Sequence, residues 1–128
     1  MRLLLDSHTL IWAVDDPGRL SANAESALQS KANELLVSAA TVWEVAIKSG
    51  QGKLSLSLPY QDWMTRAIAD LGTSLLPITI EYAAAQTALA PHHRDPFDRL
   101  LVAQAQVEKI SIVSSDAIFD RYGISRLW

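Results

Sequence analysis

Two short apolar runs, each followed by an acid, constrain the fold of this chain most. Residues 3–5 are three leucines directly before Asp6, and the run at 110–113 leads through two serines to Asp116. Short runs of this kind are typical of strands buried in a parallel sheet. Ligands of open parallel sheets bind just outside the carboxyl ends of the strands. The two acids therefore predict a metal or phosphate site at that edge of a sheet.

Predicted strands and helices alternate along the whole chain. Strands are predicted at residues 3–5, 35–37, 74–76 and 110–113, with a further edge strand at 124–128. Helices are predicted at residues 7–14, from 21 onward, at 38–48, 59–71, 80–90 and 95–109, with a brief helix at 116–122. This alternation predicts one α/β domain over residues 1–128, with a mostly parallel sheet of four to five strands and helices on both faces.

Short polar residues stand where several of these helices begin. The predicted N-terminal caps are Ser7, Ser21, Ser38 and Asp95. Three tryptophans at helical spacings are predicted core residues, namely Trp12, Trp43 and Trp63. These features support the predicted order of elements and say nothing about chemistry.

Composition narrows the class of protein. The chain has 128 residues, a net charge of −3 and no cysteine, which excludes disulfides, thiolate zinc sites and cysteine nucleophiles. The negative charge disfavours a plain nucleic-acid-binding module. It is less unfavourable for a metal-dependent nuclease, because a bound cation reverses the local sign of an acidic site. No apolar stretch approaches the roughly 18 residues of a membrane span, and we expect a cytoplasmic protein.

Each candidate acid also has an ordinary structural explanation. Asp6 and Asp116 can cap the helices that follow them, and Asp120 lies four residues after Asp116 on the same face. Asp98 lies in the first turn of its helix, where a negative charge suits the helix dipole. That helix is apolar nearly all round, however, so its N-terminal carboxylate should point along the carboxyl edge of the sheet.

Considered without any family comparison, Glu44 and the neighbouring pair His92 and His93 are all expected to face solvent. Glu44 forms a polar stripe with Thr41 and Lys48, and the pattern predicts a solvated helix face with a Glu44–Lys48 pair. His92 and His93 lie in a predicted loop, where adjacent histidines usually face solvent.

The order and spacing of four segments resemble a known family. The segments are LLDSH at 4–8, VSAATVWEVAIK at 37–48, HRDPFDRLLVAQA at 93–105 and SSD at 114–116. Together they are similar to the PIN-domain ribonucleases, and specifically to the VapC-type toxins of prokaryotic toxin–antitoxin pairs. The resemblance covers essentially the whole chain and implies a PIN-like α/β/α fold.

The resemblance implies a four-carboxylate metal site. Its members are Asp6, Glu44, Asp98 and Asp116, with Asp120 as an alternative fourth ligand and Asp95 left as a helix cap. Hard oxygen ligands of this kind suit Mg²⁺ or Mn²⁺, which can activate water for attack on a phosphodiester. The family's products carry 5′-phosphate and 3′-hydroxyl ends.

The resemblance also suggests substrate contacts and partners. The hydroxyl of Ser7 and the side chains of Arg94 and Arg99 are candidate contacts to the substrate, with His93 a further candidate phosphate contact. Arg99 could equally serve as a structural ion-pair partner. The implied partners are RNA as substrate, a cognate antitoxin protein, and a second copy of the chain in a homodimer.

Two other functions remain open from the sequence. An aspartate after a strand can be a phosphate acceptor, so Asp6 could belong to a phosphatase or phosphotransfer domain, although His8 stands where such domains have a second acid. A catalytically inactive PIN-like binding module is the non-enzymatic alternative, and the intact set of four acids disfavours it.

Overall fold

The computed structural model describes residues 1–128 and contains one parallel sheet of five strands. The strands are β1 (Arg2–Leu5), β2 (Glu34–Ser38), β3 (Ser74–Leu76), β4 (Ser111–Val113) and β5 (Arg126–Leu127). Their order across the sheet is β3-β2-β1-β4-β5, and every neighbouring pair is parallel. The predicted parallel α/β class is therefore confirmed.

Helices cover both faces of this sheet. The six α-helices are α1 (Ser7–Asp15), α2 (Ala22–Gln29), α3 (Ala39–Gly50), α4 (Tyr60–Leu71), α5 (Ile80–Thr87) and α6 (Pro96–Glu108). Two 3₁₀ segments lie at Pro17–Arg19 and Ala117–Tyr122. None of these helices combines the length and the apolarity that crossing a bilayer would require.

Strand β1 is buried on both faces, which explains its unbroken run of leucines. Leu3 and Leu5 lie in one core cluster, which includes side chains from α1 to α4, whereas Leu4 lies in the other, which includes side chains from α5 and α6. Successive side chains of a strand point to opposite faces. A strand between two helical layers therefore needs apolar residues at every position.

The chain reverses direction across the sheet at β1. From β1 it proceeds to β2 and β3 on one side, and it then returns to β4 on the other side of β1. Leu5 pairs with Val113 in register, so Asp6 and Ser114 follow neighbouring strands at the same edge. Ligands bind at such a switch point because the loops diverge there and leave a crevice.

The structure corrects three local expectations. Helix α1 is capped by Asp6 rather than Ser7, with Asp6 Oδ1 accepting a hydrogen bond of 2.8 Å from the Thr9 backbone N–H. Trp43 is not a core residue, because 63% of it is exposed, whereas Trp63 is buried as predicted. Helix α5 ends at Thr87, earlier than the predicted end near residue 90.

Candidate metal centre

Four acids from distant parts of the chain meet near the carboxyl edge of the sheet. Asp6 follows β1, Asp116 follows β4, Glu44 lies in α3, and Asp98 lies in the first turn of α6. Burial raises the pKa of Asp98 to about 7, with further contributions from the negative charges of Asp95, Glu44, Asp6 and Asp116. Each of these carboxylates thus lies near enough to Asp98 for its charge to raise the pKa of Asp98.

Asp6 is held on both of its carboxylate oxygens. Besides capping α1, it accepts a short hydrogen bond on Oδ2 from the hydroxyl of Ser114. Ser114 is fully buried and its Oγ also accepts a hydrogen bond of 3.0 Å from the Asp116 backbone N–H. One serine therefore connects two of the four acids. Sequence reasoning gave Ser114 no role, although its position directly after a predicted strand was a usable signal.

Glu44 faces the protein interior, contrary to the solvated face that its helical pattern predicted. Its exposed fraction is 2%, and Thr41 on the same stripe is 1% exposed. Lys48 Nζ lies 2.6 Å from Glu44 Oε2, so the predicted Glu44–Lys48 pair is present. Glu44 Oε1 is buried and has no hydrogen-bond partner. A buried, unpartnered carboxylate oxygen is unfavourable unless another ligand satisfies it.

The negative charges of nearby acids raise the pKa of Lys48. Burial lowers the pKa of Lys48, but its hydrogen bond to Glu44 and the charges of Glu44, Asp95 and Asp98 outweigh burial, so the pKa is raised overall. The protonated ammonium supplies one positive charge next to a group of carboxylates. Asp95 caps α6 as predicted, accepting hydrogen bonds on its side chain from the backbone N–H groups of Phe97 and Asp98.

His93 is buried between Asp98 and Asp116, which corrects the expectation that this loop histidine faces solvent. Only 6% of it is exposed, and its ring lies parallel to that of Tyr122 with 5.8 Å between centroids. Nδ1 lies 3.7 Å from Asp98 Oδ2, and Nε2 lies 3.8 Å from Asp116 Oδ2. Burial lowers the pKa of His93 despite the neighbouring acids. A single loop histidine offers no periodic signal from which this burial could be predicted.

The two candidates for the fourth acid have different surroundings. Asp116 lies beside His93 and Ser114, as described above. Asp120 is bound by Arg126, whose Nε and Nη2 lie 2.9 and 3.0 Å from its two oxygens. Arg126 lowers the pKa of Asp120. Asp120 is thus paired with an arginine, whereas the negative charge of Asp116 acts on Asp98 and Ser114 connects Asp116 to Asp6.

The three candidate substrate contacts differ in their exposure and in their hydrogen bonds. Arg94 is exposed, and Ser7 is buried at the first position of α1. Arg99 instead donates from Nη1 and Nη2 to the backbone carbonyls of four residues, namely Gln86, Leu89, Ala90 and His93. With the Gln86 amide oriented to place its oxygen toward the guanidinium, Nε donates as well, at 2.9 Å.

These hydrogen bonds direct the guanidinium of Arg99 to the protein backbone, which favours a structural role over contact with a phosphate. That role is not the alternative one of an ion-pair partner, because all of these acceptors are neutral. The role of Arg99 is to fix the segment that ends in His93 against the start of α6.

The donor set fits a hard divalent cation. It consists mainly of carboxylate oxygens, with the His93 imidazole beside Asp98 and Asp116, and one of the oxygens, Glu44 Oε1, is buried without a partner. Burial is the main cause of the raised pKa of Asp98 and the neighbouring carboxylates raise it further, so a cation among them would favour the ionised form. Mg²⁺ and Mn²⁺ prefer oxygen ligands of this type.

The fold and this carboxylate cluster define the class: an α/β domain with an acidic, metal-compatible site at the switch point of a parallel sheet. The PIN domain family profile matches residues 3–125. Ribonuclease VapC22 of Mycobacterium tuberculosis is 34% identical over 115 residues, which cover 89% of this chain and 86% of that protein. The chain belongs to the PIN domain family, and within it to the VapC-type proteins.

Solved structures show the same fold. The structure of VapBC2 from Rickettsia felis, bound to a DNA fragment from its promoter, matches with a TM-score of 0.72 at 16% identity, covering 98% of this chain and 97% of that chain. The structure of VapBC-1 from nontypeable Haemophilus influenzae matches with a TM-score of 0.68 at 14% identity, covering 98% and 96%. The resemblance stated from the sequence motifs is confirmed.

Proposed function

We propose that this protein is a divalent-metal-dependent endoribonuclease and the toxin of a toxin–antitoxin pair, acting in the cytoplasm. The observation that carries the proposal is the convergence of Asp6, Glu44, Asp98 and Asp116 at one edge of the sheet, where burial and, after it, the charges of the neighbouring acids raise the pKa of Asp98 to about 7. Such a cluster is costly for a folded protein unless it binds a cation. The 34% identity to a protein named as a ribonuclease supports RNA as the substrate.

We assign Asp6, Glu44, Asp98 and Asp116 as the residues that would hold Mg²⁺ or Mn²⁺. A divalent ion held by these residues would supply Lewis acidity, which lowers the pKa of water and withdraws charge from a phosphodiester. The protein's part is to keep the carboxylates oriented. Asp6 is fixed by Thr9 and Ser114, and Glu44 is fixed by Lys48. These contacts leave little reorganisation to occur when substrate binds.

Two groups near the acids, one exposed and one buried, would position the RNA. Arg94 lies in the loop before Asp98 and is exposed, so its guanidinium is available to a phosphate. Ser7 adjoins Asp6, and its hydroxyl is the second group that we assign to substrate contact. Because the net charge of the chain is −3, these few contacts and the metal would have to supply the attraction for the RNA backbone.

The partners follow from the surface and from the relatives. VapBC complexes share the fold, which supports a VapB-type antitoxin as partner. An acidic site of this kind would be blocked efficiently by a basic side chain of such a partner.

Three exposed apolar residues, Leu75, Ile78 and Ile80, lie on or near the edge strand β3 and support a homodimer. Light scattering of wild type and Ile80→Lys tests the dimer, which the lysine should weaken.

The phosphotransfer alternative is disfavoured by the surroundings of Asp6. Both of its carboxylate oxygens accept hydrogen bonds from the protein. These hydrogen bonds lower the nucleophilicity of the carboxylate toward phosphorus, while each oxygen keeps a lone pair for a metal ion. Acetyl phosphate should therefore not label the protein.

The decisive experiment measures cleavage of a defined RNA by the purified protein with Mg²⁺, with Mn²⁺ and with EDTA. We expect cleavage only with the ions, and its loss in Asp6→Asn and Asp98→Asn. Asp70→Asn is the matched control, because Asp70 is an exposed acid on α4 that pairs only with Arg66. Cleavage that persists in EDTA, or in both site variants, would rule out the proposed mechanism.

A further inference from the structure

His93 lies between aromatic rings and two of the four acids, Asp98 and Asp116. Its ring lies parallel to Tyr122, with an interplanar angle of 2°, and it contacts Phe119 with 4.7 Å between centroids. Its backbone N–H donates a hydrogen bond of 2.7 Å to the hydroxyl of Tyr122, and its carbonyl accepts one from Arg99. The position of the imidazole is therefore set by contacts other than those of its nitrogens.

The two ring nitrogens face carboxylates without bonding to them. Nδ1 is 3.7 Å from Asp98 Oδ2 and Nε2 is 3.8 Å from Asp116 Oδ2, and both distances exceed those of a hydrogen bond. Nε2 is buried and has no partner in the protein. A buried polar atom without a partner is unfavourable, so the unpartnered Nε2, which faces Asp116, indicates a place for a further ligand.

The three side chains are spaced for a common ion. One ligand atom from each of His93, Asp98 and Asp116 can be chosen so that all three lie within 4.8 Å of one another. Atoms that ligate one small divalent ion at ordinary bond lengths lie up to about 4.4 Å apart. The observed spread is close to that value, so only a small adjustment of the carboxylates is needed.

We propose that Nε2 of His93 is a nitrogen ligand that shares a divalent ion with Asp98 and Asp116, and that it makes this site favour Mn²⁺ over Mg²⁺. Imidazole binds first-row transition ions, whereas Mg²⁺ prefers oxygen ligands and retains its waters. The inference deepens the proposed function and rests on it, because it concerns the ion that the acids would hold. It assigns His93 to the metal rather than to a substrate phosphate.

Pulsed electron paramagnetic resonance of the Mn²⁺-loaded protein tests the inference directly, because a ligating imidazole nitrogen produces a characteristic ¹⁴N modulation. We expect the modulation in the wild type and its loss in His93→Gln. By calorimetry, the affinity of His93→Gln for Mn²⁺ should fall about tenfold or more, while its affinity for Mg²⁺ changes by less than about threefold. His92→Gln is the matched control, because His92 is the exposed neighbour, and both of its affinities should equal those of the wild type.

Absence of ¹⁴N modulation in the wild type overturns the inference, and this measurement does not depend on whether a variant folds. Persistence of the modulation in a folded His93→Gln, or equal losses of Mn²⁺ and Mg²⁺ affinity, overturns it as well. Failure of the inference is distinguishable from failure of the proposed function. If RNA cleavage still requires a divalent ion and Asp98 while no nitrogen is coupled, only the inference is wrong. If neither ion binds, both are wrong.

Discussion

The hydroxyl of Ser114 donates a hydrogen bond to the carboxylate of Asp6, although 108 positions separate the two residues in the chain. Parallel pairing of β1 with β4 makes this contact possible, since Leu5 and Val113 are opposite each other and the next residue of each strand enters the same crevice. Ser114 also accepts from the backbone of Asp116. The serine therefore positions one proposed metal ligand and the backbone of a second.

Ser114→Ala should weaken metal binding without removing a ligand. Loss of a hydrogen bond that orients a metal-binding carboxylate typically reduces metal affinity about 10- to 100-fold. Calorimetric titration with Mn²⁺ measures the change. Ser115→Ala is the control, because Ser115 is the exposed neighbour and its loss should leave the affinity unaltered. Equal affinities for wild type and Ser114→Ala would show that the serine does not orient the site.

Asp98→Asn should stabilise the metal-free protein at alkaline pH. The pKa of Asp98 is raised from 3.8 to about 7 in the folded state, so folding retains a proton that the unfolded chain releases. This group therefore lowers the stability of the wild type progressively as pH rises from about 4 to 7, and the full cost, on the order of a few kcal/mol, persists above pH 7.

Urea unfolding in EDTA at a series of pH values tests this prediction. The difference between Asp98→Asn and wild type should be large at pH 8 and small near pH 4. Added Mg²⁺ should stabilise the wild type more than the variant, since the ion requires the ionised carboxylate. A difference that does not depend on pH would contradict the raised pKa.

Metal affinity should depend on pH for the same reason. Because Asp98 must lose its proton to bind an ion, affinity should rise with pH up to about 7, by as much as tenfold per unit, and then become constant. Mg²⁺ titrations between pH 5 and 8 measure this dependence. An affinity that is the same at pH 5.5 and pH 7.5 would show that the pKa of Asp98 lies outside this pH range.

Arg94 and Arg99 should differ in their effects on stability and on binding. Arg99 joins four backbone carbonyls near the end of α5 and in the following loop. Arg99→Gln should therefore lower the free energy of unfolding by about 2–3 kcal/mol. Arg94 is exposed, so Arg94→Gln should change stability by less than about 0.5 kcal/mol but raise the KM for RNA. Chemical denaturation and steady-state cleavage assays measure the two effects, and a stable Arg99→Gln would contradict the structural role.

Asp116 and Asp120 should be separable by substitution. Arg126 engages both oxygens of Asp120, whereas Asp116 lies beside His93. Asp116→Asn should reduce Mn²⁺ affinity more than about tenfold, and Asp120→Asn should leave it nearly unchanged. The reverse ranking in a direct binding titration would assign the fourth ligand to Asp120.

Most of the fold could be predicted because its signals are local. Runs of apolar residues identified the buried strands, and short polar residues identified the starts of α2, α3 and α6. The error at α1 is small and informative. Both Asp6 and Ser7 are good capping residues, and the choice depends on where β1 ends, which is set by its pairing with β2 and β4.

The candidate site could be predicted only in part from the residues themselves. Asp6 and Asp116 follow apolar strands, and Asp98 begins a buried helix, so their positions carried information. Glu44 did not, because an amphipathic helix does not specify which of its faces meets solvent. Only the family resemblance placed Glu44 with the other acids. His93 was expected to face solvent but is buried, because the burial of a loop residue depends on which distant segments pack against it.

The sequence by itself determined a parallel α/β domain with acids at strand and helix ends, because hydrophobic periodicity and caps are properties of neighbouring residues. The tertiary structure decided which polar groups face one another. Helix α3 contacts α6 as well as the sheet, so the stripe that includes Glu44 is enclosed. The segment before α6 is fixed by Arg99, so His93 is enclosed as well. Contacts between distant segments determine burial, and burial gives these acids and this histidine their chemistry.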